Sequence, residues 1–217
     1  TPDKDSALTD LVVTIEEKGL VGLSANVFNN QHEATAETTL TLNNLIGGCE
    51  TLSLSGGAGS KSSYSSKAIL SRPRFMGLPL AFEAIMERVR TSHAEVSSHD
   101  RKNKHVGMSV RSYDGTHKLG WDVIFRDLVP LRDEKTAFAK LSSREVLYDC
   151  SQPSLKNAFS YQFTRDTRDE ALSPRTGSLL KVHAESAGVL GGDVYFNSLL
   201  LTAQRYIPVG PTQLFGG

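Results

Sequence analysis

Apolar and polar residues alternate along much of the chain, and this period of two predicts antiparallel strands with one apolar and one polar face. The alternation is clearest in the segment 118–126. Its apolar positions are Leu119, Trp121, Val123 and Phe125, and Ile124 is the one apolar residue on the other face. Helical periodicity is missing along the chain, so the fold class is predicted to be all-β with about ten strands.

Clusters of turn-forming residues divide the chain into segments of the length of single strands. The first half is predicted to form strands at about Leu20–Phe28, Ala34–Leu42, Cys49–Gly56, Ser63–Leu70, Leu80–Val89 and His105–Tyr113. Each segment is close to the ~10 residues that a tilted membrane-spanning strand requires. An earlier strand is expected at Leu11–Glu17, and the break at Lys18–Gly19 marks an expected domain junction.

Two all-β architectures predict this alternation. A soluble sandwich turns its apolar face to a core, and a membrane barrel turns its apolar face to lipid. The strand lengths and the many Gly, Ser and Thr residues on the polar faces favour a barrel with a polar lumen. The aromatic content of 7% counts slightly against it, because aromatic girdles usually require more.

The composition argues against several classes of function. The net charge is zero and charges of both signs are interspersed, which gives no electrostatic footprint for binding nucleic acid. Cys49 and Cys150 lie far apart without CxxC spacing, so we expect free thiols and no zinc site. No stretch reaches the ~20 apolar residues of a spanning helix.

Candidate chemical sites each have a simpler interpretation. The run Gly56–Ser62 lacks the Gly-Lys pair and the following helix of a phosphate-binding loop, so a glycine-rich turn is expected. The segment Ser98–Asp100 is predicted to be a polar loop, because a catalytic triad is defined in space. His93, His99, His105 and His117 are read as solvated surface residues. We therefore predict no enzyme activity, no metal and no cofactor.

The segment Arg165–Asp169 is the sharpest local feature. Its carboxylates could form an acid and base pair, but the flanking arginines would keep both of them ionised at neutral pH. A salt-bridged strand end followed by a turn at Ser173–Gly177 is therefore the preferred interpretation.

Several motifs here resemble the outer-membrane β-barrel assembly superfamily, also called the bacterial surface antigen family. The similarity is greatest to core barrel subunits of the mitochondrial sorting and assembly machinery. The specific segments are Phe163–Asp169, Leu172–Val182 and Glu185–Phe196, with weaker matches at Leu42–Glu50 and Ser71–Pro73. The motif residues are Arg165, Asp166, Arg168, Asp169, Pro174, Gly177, Gly191, Gly192 and Asp193.

The resemblance implies a location and a function. It implies a sixteen-stranded barrel in the mitochondrial outer membrane, preceded by a polypeptide-transport-associated domain, that inserts β-barrel precursors such as porin. The implied partners are these precursors, peripheral subunits of the sorting and assembly complex, and membrane lipid, with no nucleic acid. A passive outer-membrane channel or a protein-translocating barrel is the alternative.

The resemblance also implies a domain division. Residues 1–18 are expected to be the tail of the transport-associated domain or a linker, and residues 19–217 the N-terminal part of the barrel. Because the chain stops before the family's Arg-Gly-Phe motif and its closing strands, we expect a fragment that carries about ten of the sixteen strands.

In this family the first strand of the barrel lies at a weak seam and offers its edge to the precursor. The corresponding strand here is expected at Leu20–Asn29, where glycine and serine weaken the ladder. The residues expected at the pairing edge are Leu20, Gly22, Leu23, Ser24, Asn26 and Phe28. An ordinary short first strand would have the same sequence, so both interpretations remain open.

Overall fold

One antiparallel sheet of ten strands dominates the computed structural model, which describes residues 14, 19–29, 33–93, 98–130 and 144–207. Each strand pairs with its neighbours in chain order. The strands are β1 (Val21–Asn29), β2 (Ala34–Asn43), β3 (Thr51–Gly59), β4 (Tyr64–Arg72), β5 (Leu80–Ser92), β6 (His99–Ser112), β7 (His117–Pro130), β8 (Ser154–Asp166), β9 (Gly177–Ala187) and β10 (Phe196–Tyr206). The predicted all-β class and strand number are confirmed.

The register joins the apolar positions of successive strands into rows, because directly paired residues share a face. One row runs across eight strands through Leu23, Leu40, Leu54, Ala68, Met86, Val106, Val123 and Asn157. Leu23 is 72% exposed and Met86 is 66% exposed. A sandwich would cover this face with a second sheet, but the described residues form one sheet. The exposed apolar face is instead suited to contact with lipid.

The opposite face is polar and carries charge pairs between neighbouring strands. Lys156 Nζ lies 2.6 Å from a carboxylate oxygen of Glu185. His105 Nε2 lies 2.8 Å from Asp122 Oδ1. His105 is therefore half-buried and hydrogen-bonded, so its reading as a solvated residue is wrong. Paired charges on one face of an otherwise apolar sheet are the pattern of a polar barrel lumen.

Two predicted loops belong partly to strands. His99 and Asp100 begin β6, and Asp100 is buried, so the predicted polar loop at Ser98–Asp100 is wrong for these two residues. The first four residues of the glycine-rich run, Gly56–Gly59, complete β3, and only the following three form the turn. Pairing with β2 continues β3 to Gly59, and pairing with β7 extends β6 back to His99, beyond the apolar positions that the sequence marks.

A short helix, α1 (Arg144–Asp149), precedes β8 and was not predicted. Among the described residues, no helix is long and apolar enough to cross a bilayer. The strand expected at Leu11–Glu17 lies outside the described residues apart from Thr14, which has no regular structure. Most of the expected segment 1–18 lies outside them as well, so the domain division stays a prediction.

The assignment of the two faces can be tested with a charge at the centre of β3. We expect Leu54→Arg to lower the free energy of unfolding by about 2–4 kcal/mol, the cost of an arginine at the bilayer midplane. The measurement is urea unfolding of the full-length protein folded in phospholipid vesicles. Ser53→Arg, on the polar face, is the matched control and should cost clearly less; equal losses would contradict the assignment.

Candidate functional site

The first strand has one edge that pairs with no other described strand. Among the described strands, β1 pairs only with β2, and all nine of its residues are exposed. No side chain of β1 makes a hydrogen bond or an ion pair within the part of the chain that the structure describes. The backbone ladder to β2 and side-chain packing are therefore what hold β1 in place.

Backbone groups alternate in direction along an antiparallel strand, so every second residue of β1 points away from β2. The backbone N–H of Asn43 donates to the carbonyl of Leu20 at 2.8 Å, which fixes the phase of this alternation. With the observed register, the residues whose N–H and C=O face the open edge are Val21, Leu23, Ala25, Val27 and Asn29. The edge thus offers five donors and five acceptors to another strand.

This phase divides the residues that the sequence suggested for substrate pairing. Leu23 presents its backbone groups to the open edge. The other five, Leu20, Gly22, Ser24, Asn26 and Phe28, direct theirs toward β2, so their backbones are not available at the edge. The edge itself was expected, but the phase of its hydrogen bonds could not be read from the sequence.

The available backbone groups coincide with the apolar face. Val21, Leu23, Ala25 and Val27 are paired with Leu42, Leu40, Thr38 and Ala36, and all eight side chains lie on the face that continues across the sheet. A strand that pairs with this edge would therefore place the residues opposite them in contact with lipid.

The segment Arg165–Asp169 ends β8 and begins an ordered loop. Arg168 donates from Nε to Asp166 Oδ1 at 2.9 Å and from Nη2 to Oδ2 at 2.7 Å. The Asp166 carboxylate raises the pKa of Arg168. Arg165 lies on the apolar face opposite Leu180. The arrangement is the predicted salt-bridged strand end.

Asp169 closes the same loop in a way that was not predicted. Its Oδ1 accepts hydrogen bonds from the backbone N–H groups of Arg175 at 2.9 Å and Thr176 at 3.2 Å. The N–H groups of Thr176 and Arg175 hold the pKa of Asp169 below its usual range. The carboxylate is thus kept ionised by backbone donors rather than by an arginine side chain. Pro174 directly precedes these donors.

Gly177 is required where this loop enters β9. Its φ is +102°, and a Cβ atom there would lie 2.2 Å from the carbonyl oxygen of Thr167. Any larger residue would combine backbone strain with a clash against backbone. The loop therefore brings β8 and β9 together at a glycine that the family motif contains.

The second motif segment pins the β9–β10 loop to β8. Asp193 donates its backbone N–H to the carbonyl of Leu155 at 2.8 Å, and its Oδ2 accepts the N–H of Leu155 at 2.8 Å. Gly192 has a φ of +126°, and a Cβ there would lie 2.7 Å from the same carbonyl. Gly191 has a φ of +89° and open space around it. Asp193 thus takes the place of a neighbouring-strand residue opposite Leu155, at the beginning of β8.

Glu50 is a structural residue that the sequence did not single out. It is 5% exposed, and its carboxylate accepts the backbone N–H of Ile46 and, at 2.8 Å, that of Gly48. These donors, with Ile46 first, lower its pKa, and Arg72 adds to the effect. The weakly matching segments Leu42–Glu50 and Ser71–Pro73 therefore meet at this loop.

The two sets of predicted residues lie apart. The motif residues belong to β8, β9 and their loops, whereas the pairing edge is at β1, on the other side of the sheet. Their geometry gives the motif residues a role in holding loops and strand ends. Among the described residues, no group of His, Cys, Asp and Glu side chains could hold a metal ion.

The comparison with protein families decides the membership. The model of the Omp85 superfamily domain matches residues 44–217. The chain belongs to the Omp85 superfamily. The matched range includes both motif segments and most of the Glu50 loop.

The curated relatives of this Omp85 chain are components of one machinery. The chain is 30% identical over 200 residues to the human sorting and assembly machinery component 50 homolog, covering 88% of the chain and 40% of the relative. It is 26% identical over 189 residues to homolog A of Xenopus laevis, covering 86% and 38%. It is 23% identical over 192 residues to a SAM50-like protein of Schizosaccharomyces pombe, covering 86% and 39%. The chain spans about 40% of the length of these relatives.

A solved structure shows the same fold. BamA from Haemophilus ducreyi, in a crystal structure lacking POTRA domains 1–3, superposes with a TM-score of 0.60 at 14% identity. The superposition covers 90% of this chain and 39% of that one. The predicted family, the predicted membrane β-barrel fold and the expected mitochondrial outer-membrane location are confirmed.

Glycine at position 177 can be tested against a second left-handed glycine. We expect Gly177→Ala to destabilise the β8–β9 hairpin by more than Gly191→Ala, which has positive φ but no neighbour within 4 Å. Strain alone costs of order 1–3 kcal/mol, and the clash at Gly177 adds to it. Urea unfolding in phospholipid vesicles measures both. Equal destabilisation would show that the close approach of Thr167 is unimportant.

The loop held by Asp169 should respond to acid. A lowered folded-state pKa stabilises the fold above the unfolded-state value of ~3.9, and this stabilisation is lost as pH falls through the folded-state pKa. We expect the amides of Arg175 and Thr176 to lose hydrogen-exchange protection below about pH 4. Asp169→Asn keeps an acceptor but cannot titrate, so its protection should not depend on pH in this range. The same acid response in both proteins would contradict this role.

Proposed function

We propose that this chain is the N-terminal part of the barrel of a protein that inserts and assembles β-barrel precursors, such as porin, into the mitochondrial outer membrane. The names of its relatives, components of a sorting and assembly machinery, support this assignment. The observation that carries the mechanism is the outer edge of β1, where the available backbone groups belong to residues with lipid-facing side chains. Pairing with that edge uses backbone hydrogen bonds only, so the proposed function requires no enzymatic step.

The energetic argument starts from the backbone groups at the edge. Each unpaired N–H or C=O in hydrocarbon costs several kcal/mol, because no water can replace the missing partner. The groups of Val21, Leu23, Ala25, Val27 and Asn29 therefore require a second neighbouring strand, and they favour a precursor strand strongly wherever the barrel's own closing strand has separated from β1. In the proposed mechanism a strand of the incoming precursor supplies these bonds by β-augmentation.

The proposal also requires that β1 can exchange partners. Its side chains make no described hydrogen bond to β2, and Gly22 and Ser24 contribute little packing. A strand with this composition forms a weaker ladder than one rich in β-branched and aromatic residues. The strand can therefore accept a new neighbour on its open edge without first breaking side-chain bonds.

The expected partners follow from the same assignment. The precursors pair with β1, the apolar face contacts membrane lipid, and peripheral subunits of a sorting and assembly complex bind the parts of the protein outside the bilayer. A passive channel or a translocating barrel would use the same strands but would not need a strand-accepting edge at β1. The test of the edge therefore separates these functions.

The test removes one donor from the edge. Leu23→Pro removes an N–H that faces outward and leaves the ladder to β2 intact. We expect assembly of imported porin to fall at least about tenfold, because an unmet carbonyl in hydrocarbon costs more than the ~1.4 kcal/mol that this factor represents. The measurement is a native gel of assembled porin in mitochondria that carry the full-length variant.

Leu23→Ala is the matched control, because it shortens the same side chain and keeps the donor. It should assemble porin normally, and import of matrix proteins should continue in both strains. Normal porin assembly by a correctly folded Leu23→Pro protein would exclude pairing at this edge and would favour the passive channel.

A further inference from the structure

Two pairs of like charges lie directly opposite each other on the apolar face. Arg88 of β5 is paired with Lys104 of β6, and Arg90 is paired with Lys102 in the next row. The uninterrupted register places all four side chains on the face of Met86 and Val106. Like charges directly opposite each other destabilise a sheet, so this position calls for a compensating negative charge.

The described residues supply only part of that charge. Arg90 forms an ion pair with Asp100, with 2.5 Å between Nη2 and Oδ2. Asp127 is paired in register with Lys102 but forms no described ion pair with it. Within the described residues, Arg88, Lys102 and Lys104 have no carboxylate at ion-pair distance. In the part of the chain that the structure describes, three cations on this face therefore have no counter-ion.

Aromatic rings hold two of these cations in place. The Arg88 guanidinium lies 5.4 Å from the centroid of the Tyr64 ring, and Lys104 Nζ lies 5.8 Å from that of Phe125. Both contacts are on the apolar face, and both cations are exposed. Cation–π contacts orient the charges while leaving their outer sides open to an anion.

The position of the cluster along the strands identifies its surroundings. The cations directly follow the apolar run of β5, in which Phe82, Ala84 and Met86 share their face. On a lipid-facing surface, aromatic and basic side chains at the end of an apolar run lie at the level of the headgroups. The anion that meets this cluster is therefore one that the membrane carries.

We propose that Arg88, Lys102 and Lys104 bind the phosphate of an anionic phospholipid, whose acyl chains lie along Met86, Val106 and Met108. The phosphodiester provides the missing negative charge and accepts charge-assisted hydrogen bonds. The apolar residues that adjoin the cations favour a lipid over a free phosphate ion, which has no apolar part. The proposal requires only that this face contacts lipid and is independent of precursor insertion.

The experiment measures lipid selectivity. Full-length protein is purified in detergent, delipidated and mixed with equal amounts of phosphatidylglycerol and phosphatidylcholine, and native mass spectrometry then counts the bound lipids. We expect phosphatidylglycerol to be retained preferentially, and the double variant Arg88→Gln/Lys104→Gln to lose at least about fivefold of this preference. Absence of a preference, or its persistence in that variant, would overturn the proposal.

Two control variants distinguish binding at this site from a general effect of positive charge and from loss of folding. Lys118→Gln/Arg126→Gln removes the same charge from the polar face and should keep the preference. Arg88→Lys/Lys104→Arg keeps the charges in place and should also keep it. A loss in the polar-face variant equal to that in Arg88→Gln/Lys104→Gln would overturn the proposal. Inorganic phosphate added alone should not displace the lipid; displacement would assign the site to the free ion.

Discussion

The requirement that every backbone N–H and C=O finds a partner where water is absent governs this structure. It accounts for ten strands in one uninterrupted ladder, with consecutive strands always adjacent. It also accounts for the contact of Asp193 with Leu155. There a loop supplies a donor and an acceptor to the first residues of β8, beyond the last residue of β9 that pairs with β8. The same requirement applies to the outward-facing backbone groups of β1, which need a neighbouring strand on that side as well.

Carboxylates perform a similar task at the ends of the strands. Glu50, Asp114 and Asp169 each accept a backbone N–H in a connecting loop, and Glu33 accepts the N–H of Lys61 from the neighbouring turn. Charged acceptors make stronger bonds than neutral ones, and these loops lie outside the strands, where hydration of an ion is possible. The ordered conformation of these loops therefore depends on ionised side chains, whereas the pairing of the strands depends on backbone hydrogen bonds.

Much of the fold follows from the alternation of residues, because a half-buried strand has a period of two whichever solvent covers its apolar face. The alternation in β7 predicts its two faces correctly. The sequence of a single strand does not distinguish a sandwich from a barrel. The distinction depends on the whole sheet, since the exposed row through Leu23 and Met86 forms only when the strands are paired. The charged start of β6 was read as a loop, because strands that extend past an apolar band can be polar on both faces.

The candidate site was predictable to a smaller extent. The glycines and carboxylates of the β8–β10 motifs were visible as a pattern, but their contacts join residues far apart in the chain, such as Asp193 and Leu155. The phase of the hydrogen bonds along β1 belongs to the whole ladder with β2, and the bond from Asn43 to Leu20 shows which phase it is. Side-chain composition carries no information on that phase. The phase nevertheless divides the predicted pairing residues into two sets, those whose backbones face the outer edge and those whose backbones face β2.

The phase of β1 has a consequence for how its sequence can vary. In this strand the residues with available backbone groups are also the residues with lipid-facing side chains. Substitutions that preserve polarity at each position leave both properties intact. An insertion or deletion of one residue would invert both together, turning Val21, Leu23 and Val27 toward the lumen and presenting the backbones of polar positions instead. Length changes of two residues keep both properties in phase, whereas a change of one residue requires a bulge that leaves one residue unpaired.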